Sequence, residues 1–369
     1  MKKLFFLGVA VFPLMVAAQL AVKTENVFII TTDGFRWQEV FSGADPSLIS
    51  NACCNADTVF TKSMYWDDVD SIRRKKLLPF FWNVIAKMGQ LYGNRVFGNK
   101  VDVKNLYKIS YPGYNELLTG YADPYFIPNR PVNNRNQNIL EKINQLPAYK
   151  GKVIAFTSWS VFPYILNQER SKLPVNSGYE PLREGTDSTN QLINIVQASV
   201  RDKNNTRHDW LTYLSAKEYA LYHHPKVMFL ALGETDEAAH DNRYDRYLQS
   251  AANFDRMIAD LWYAIQTDPV YKDKTTFIIT TDHGRGDTEQ SWHTHGFWAK
   301  HSGQTWLAIV GPDTVSPIGT ISTDGQLYSN QVAATIAMLL GEKFETSRKT
   351  GKPIQLAAPT LKPALARAP

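Results

Sequence analysis

The chain has 369 residues, 44% of them hydrophobic and 20% charged, with a formal net charge of +5. This balance excludes disorder over most of the length and provides for one large α/β domain with an insertion, or two modest domains. The basic residues form short clusters such as Arg73–Lys76, which argues for a solvated face over a nucleic-acid groove, while a mildly positive field favours an anionic substrate.

In chain order, Lys2 and Lys3 precede an apolar run from Leu4 to Met15, closed by Val16-Ala17-Ala18. Residues 1–18 therefore read as an export signal, cut before Gln19, because the run is too short to span a bilayer. No cysteine marks the cut and no later segment is long and apolar, so a soluble periplasmic or secreted protein is expected, with its catalytic domain over 19–345. The first buried strand, Val27–Thr31, ends in Asp33-Gly34-Phe35-Arg36. Cys53 and Cys54 are the only cysteines; a vicinal bridge would be strained, and two free thiols are the simpler reading. Residues 110–120 read SYPGYNELLTG. From about 121 to 207 the chain is rich in Asn, Pro, Tyr and Arg and contains one strand-like run, Val153–Thr157; it reads as an insertion or lid carrying binding residues over the site. Strand Val227–Leu232 leads into Gly233-Glu234-Thr235-Asp236, apolar residues recur at helical spacing from Tyr247 to Ile265, strand Thr276–Thr280 leads into Asp282-His283-Gly284, and a last strand covers Trp306–Val310. The Pro- and Ala-rich tail, 346–369, is expected to be partly unpacked.

Strands alternating with helices predict an α/β fold with a mostly parallel central sheet covered by helices on both faces. Ligands gather at the carboxyl ends of such strands, and here three strands deliver carboxylates to one edge. Five histidines follow residue 239: His240, His283, His293, His295 and His301. Asp236 and His240 share one face of a helical turn and can grip one ion. Zinc takes histidine nitrogen and carboxylate oxygen, and two such ions a few Å apart suit a displacement at phosphorus.

The ordered set TTDGFR, SYPGYNELLTG, TDEAAH, TTDHGRG and KHSGQTW resembles the alkaline phosphatase superfamily, and DGFR with the stretch after Ser110 is most similar to its nucleotide pyrophosphatase/phosphodiesterase branch. The resemblance spans about residues 25–342, including NQVAATIAMLLG. It implies two zinc ions, or other dications, one held by Asp236, His240 and a third histidine and the other by Asp33, Asp282 and His283, with Ser110 as the nucleophile between them. His301, in His-Ser-Gly-Gln-Thr-Trp, is similar to the His-Thr-Gly of alkaline phosphatases and is preferred as the third histidine. His293 and His295 compete, His295 being followed by Gly as in the phosphodiesterase branch. Relatives place an Asn about twenty residues after the nucleophile on the charge building at phosphorus; Asn134 is expected here, with Asn133 in reserve.

The same stretch resembles the signature in which sulfatases convert a Cys or Ser to formylglycine, except that Tyr114 stands where the signature has Arg. That departure and the histidine-rich ligand set, unlike a hard-cation oxygen site, favour an unmodified alcohol. Some periplasmic monoesterases of the superfamily carry a Lys-x-Arg pair where this chain reads FTSWSVFPYILN, with Trp159 and Phe162 and no basic pair. Phosphodiester or nucleotide-type esters therefore stand ahead of phosphomonoesters as the small anionic substrate, with sulfate esters third. The export signal and the lack of a second large domain argue against a phosphoglycerate mutase, and a non-catalytic metal-binding protein with the same fold is the reading outside enzymes. Arg36 either faces the site or caps local structure.

Overall fold

Among the described residues eleven strands carry the architecture, and the runs of β-branched residues foreseen as strands form its middle. They are β1 (Asn26–Thr32), β2 (Gln90–Tyr92), β3 (Asn99–Asp102), β4 (Val153–Thr157), β5 (Val175–Ser177), β6 (Val227–Leu232), β7 (Thr275–Thr280), β8 (Gln304–Thr305), β9 (Leu307–Val310), β10 (Gly319–Thr320) and β11 (Gly325–Tyr328). The computed structural model describes residues 23–182, 188–314 and 318–356. The expected leader, its cut before Gln19 and the last part of the tail lie outside the described residues.

Eight strands form one sheet in the order β10-β2-β9-β7-β1-β6-β4-β5, and β11-β3-β8 form a smaller one. The run from β7 to β5 is parallel, and β9 pairs antiparallel with β7. Every residue of β1, β4, β6 and β7 is buried, as strands covered on both faces require. Side chains alternate across the sheet, so Phe28 and Ile30 join one core with Leu248, Ala251, Phe254 and Ile258 of the Tyr244–Thr267 helix. Val27 and Ile29 join the other core, with Leu117 of the Ser110–Thr119 helix, Ile143 and Ile336.

The lid expectation needs narrowing. β4 and β5 lie inside 121–207 but are strands of the main sheet, so this region is not a continuous excursion from it. Its irregular first part, residues 121–138, brings Asn129 to Ser110. The tail also packs further than expected: Ile354 is buried and its N–H donates to Thr335 Oγ1 at 2.9 Å, while Gly351 N–H donates to Gly120 O at 3.0 Å. Trp306 is no part of a strand; the chain changes sheet there, and its indole donates to Phe35 O at 2.9 Å. Cys53 is exposed and Cys54 buried, and both are free thiols. Among the described residues no helix is long and apolar enough to cross a membrane.

Candidate active site

Register decides what meets at the sheet edge. Thr31 of β1 pairs with Thr280 of β7 and with Ala231 of β6, so Asp33, Asp282 and Gly233 each stand two residues past the same level. Gly34 turns the chain there with φ +59°, and a Cβ on it would lie 2.7 Å from Asp236 Oδ1. Its N–H donates to Asp282 Oδ1 at 3.1 Å, which leaves Asp282 Oδ2 directed elsewhere.

Ser110 opens the Ser110–Thr119 helix and is 5% exposed. That helix approaches the β7 end closely: a Cβ on Gly113 would meet Asp282 O at 2.6 Å. Ser110 Oγ thus lies 3.4 Å from His283 Nε2, and Asp33 Oδ1 and Asp282 Oδ2 lie 3.4 Å from the same nitrogen. His283 Nδ1 donates to Gly284 O at 2.9 Å, so Nε2 turns a lone pair toward these oxygens. Asp33 Oδ1 and Asp282 Oδ2 are buried without a hydrogen-bond partner among the described residues. Burial, and the Asp282 charge beside it, push the Asp33 carboxyl up to about 8; burial pushes Asp282 up to about 7 and holds His283 below its usual range. Two adjacent buried carboxylates and an unprotonated imidazole facing one point form a donor set that suits a divalent cation.

A second cluster abuts the first. Asp236 Oδ2 lies 2.8 Å from His240 Nε2, and His295 Nε2 lies 3.1 Å from the same atom. His295 Nδ1 donates to Lys108 O at 3.2 Å, which again leaves Nε2 as the free lone pair, and its ring stacks on His283 with centroids 4.1 Å apart. Burial, then His283 and Arg285, hold His295 well below the ordinary imidazole range. Asp33, Asp236 and His283 also bring ligand atoms within 4.8 Å of one another, as do Asp236, His240 and His295, so the clusters meet at the Asp236 carboxylate.

The structure does not bring His301 to this cluster. It lies in a left-handed turn with φ +67° and its Nδ1 pairs with Asp287, while His295 takes the place beside Asp236 and His240. His293 stays out as well; its carbonyl accepts from Arg285 Nη1 at 2.7 Å. Nor is Asn134 near Ser110. It is buried, its amide donates to Asn115 Oδ1 at 3.0 Å and Ile165 O at 3.2 Å, and its Oδ1 accepts from Asn136 N–H. Asn133 donates to Glu169 on the surface. Asn129 stands at the nucleophile instead: its Oδ1 accepts the Tyr111 N–H at 2.8 Å, which turns Nδ2 to 3.5 Å from Ser110 Oγ. Its spacing of 19 residues from Ser110 was a readable signal that the match to RPVNN overrode.

Two arginines close the underside. Arg285, which sequence reasoning missed, pairs with Asp236 Oδ1 and donates to Gly34 O and His293 O, tying three strand-end segments together. Arg36 is buried on Glu39 and donates to Gly286 O at 3.2 Å, so it braces a loop and does not face the site. Phe162 packs on Tyr114 at 4.6 Å and Phe229 at 5.6 Å, with Trp159 behind it, so core packing accounts for both aromatics.

The fold is shared with known enzymes. The alkaline phosphatase PafA superposes with a TM-score of 0.59 at 10% identity over 90% of this chain and 99% of that one. The phosphonate monoester hydrolase of Agrobacterium radiobacter gives 0.54 at 12% identity over 86% and 74%. The lipoteichoic acid synthase LtaP from Listeria monocytogenes gives 0.54 at 11% over 91% and 75%. No curated protein matches the sequence. The family described as type I phosphodiesterase / nucleotide pyrophosphatase matches residues 127–357, well over half of the chain. By that match, on an alkaline-phosphatase-like α/β fold, the chain belongs to the type I phosphodiesterase/nucleotide pyrophosphatase family of phosphoric ester hydrolases.

Proposed function

We propose that the protein is an exported phosphohydrolase that cleaves phosphodiester or nucleotide-type esters through Ser110, with two divalent cations, zinc first among them, in the paired clusters. The observation that carries this reading is the convergence of Ser110 Oγ, Asp33 Oδ1 and Asp282 Oδ2 at 3.4 Å on His283 Nε2. Asp33, Asp282 and His283 would hold one cation; Asp236, His240 and His295 would hold the other. Such cations would favour ionisation of a nearby hydroxyl and offset charge on the reacting phosphoryl group.

The residues of this chain supply the rest. Ser110 Oγ attacks phosphorus in line; the Oγ–P bond forms as the bond to the leaving oxygen breaks, and water then releases the phosphoryl group from the serine. The Asn129 amide, oriented by the Tyr111 N–H, donates to a non-bridging oxygen. A diester carries one negative charge fewer than a monoester dianion. The guanidinium groups of Arg36 and Arg285 are committed to Glu39 and Asp236, which favours the less charged substrate.

The test compares initial rates on an aryl phosphodiester, an aryl phosphate and an aryl sulfate by the zinc-loaded protein. The diester is expected to be fastest and Ser110→Ala to remove turnover while leaving zinc content intact. Wild-type rates retained by Ser110→Ala would overturn the mechanism, and a faster sulfate ester would overturn the substrate class.

A further inference from the structure

Tyr114 occupies the position where the sulfatase-type signature has Arg, and the reaction outlined above leaves it without a task. It lies one helical turn after Ser110 and is fully buried. Its ring packs edge-on against Phe229, 6.3 Å between centroids, and Phe229 is the β6 partner of Ile29 on β1. Val27 and Ile29 face this helix, and strand alternation continues that face through Thr31 to Asp33. The phenol is thereby directed along β1 toward the strand end that carries the carboxylates.

Four buried side-chain atoms here make no hydrogen bond of standard geometry among the described residues, Tyr114 OH, Thr31 Oγ1, Asp33 Oδ1 and Asp282 Oδ2, although the Tyr114 hydroxyl lies close enough to Thr31 and Asp33 to interact with both. Two are hydroxyl donors and two are carboxylate acceptors, so they complement one another in number and kind. A carboxylate oxygen has two lone pairs and can face a cation with one while accepting a hydrogen bond with the other. A buried hydroxyl without a well-made hydrogen bond is costly, so a tyrosine used only for packing would be better replaced by phenylalanine. A phenol is protonated at neutral pH and is therefore a donor.

We infer that Tyr114 is a positioning residue for the Asp33–Asp282–His283 cation site: its hydroxyl donates to the Asp33 carboxylate from below, with Thr31 in the same role, and fixes the direction in which Asp33 presents its free lone pair. Hydrogen bonds of this kind to metal-binding side chains typically change metal affinity by about 10–100-fold. The inference rests on the two-cation reading above and adds to it a determinant of affinity that touches neither substrate nor ion.

The test measures Zn2+ affinity by competition with a chromophoric chelator for the wild type, Tyr114→Phe, Thr31→Val and Ser110→Ala, together with melting temperatures before and after zinc loading. Tyr114→Phe is expected to bind the weaker zinc equivalent about 10–100-fold less tightly. Its melting temperature should fall further below wild type in the zinc-loaded form than in the zinc-free form, since weaker zinc binding removes part of the stabilisation that the ion supplies. Thr31→Val should show the same pattern. Zinc affinity within twofold of wild type in both variants, or equal destabilisation with and without zinc, would overturn the inference while leaving the Ser110 reading intact. Loss of affinity in Tyr114→Phe alongside full turnover by Ser110→Ala would uphold the inference and sink the nucleophile. A wild type that takes up no zinc would sink both.

Discussion

Asn129 and Asn134 lie five positions apart and perform different work. Asn129 is exposed at the mouth of the site with its amide aimed at Ser110, so Asn129→Ala should lower kcat by about a hundredfold with only a small fall in melting temperature from the lost bond to Tyr111 N–H. Asn134 is enclosed among Asn115, Asn136 and Ile165, so Asn134→Ala should cost about 2 kcal/mol in denaturant unfolding and leave kcat near wild type. The histidines separate in the same manner. Metal analysis should find one zinc equivalent missing from His295→Ala and none from His301→Ala, because only His295 shares a point with Asp236 and His240. That Asp33, Asp236, His240, Asp282, His283 and Ser110 come together at one edge was readable because each sits at a fixed offset from a strand end or a helix start. For the other two positions a signal was present but outweighed, the spacing of Asn129 by the match to RPVNN and the Gly after His295 by the likeness of KHSGQTW to alkaline phosphatases. Asn129 and His295 come from irregular loops, whose course is set by single contacts such as Gly286 N–H to Thr294 O and carries no period in the sequence.

Asp255 shows how one element is fixed by another. It projects from the Tyr244–Thr267 helix and accepts the N–H groups of Phe80 and Phe81, both at 2.8 Å, serving as a borrowed cap for the helical segment that begins after Leu78. Burial pushes its carboxyl up to about 7 from 3.8. A raised carboxyl pKa means that the folded state holds a proton the unfolded chain releases, so this group's contribution to stability falls as pH rises from about 4 to 7. Asp255→Asn removes the titration. Melting curves between pH 4.5 and 7.5 should therefore show a shallower decline for Asp255→Asn than for wild type. The helix itself was legible from its apolar spacing, starting three residues earlier than Tyr247. Its capping duty was hidden, because Asp255 reads in sequence as one polar interruption of an apolar stripe.

For the molecule as a whole, the two cores are ordinary and the edge between them is not. Asp33, Asp236 and Asp282 stand within one small region with Asp33 and Asp282 buried, and repulsion between those two opposes folding when both are ionised. Dications held there on the proposed reading would bind the folded chain and should stabilise it, by about 2.7 kcal/mol per site at one hundred times Kd. Stripping with a chelator should lower the melting temperature by several degrees, and added zinc should restore it; equal melting with and without metal would contradict the ligand sets. The parallel sheet was legible because strands buried on both faces are apolar without interruption. The extent of the lid was not, since composition alone cannot separate β4 and β5 from the loops around them. The position of β1 also bears on biosynthesis. Its two neighbours, β6 and β7, come from far down the chain, Val27 pairing with Val227 and Thr31 with Thr280. A nascent chain still on the ribosome at residue 220 has made its middle strand but neither partner, so the parallel heart of the sheet closes only after residue 280 has been added.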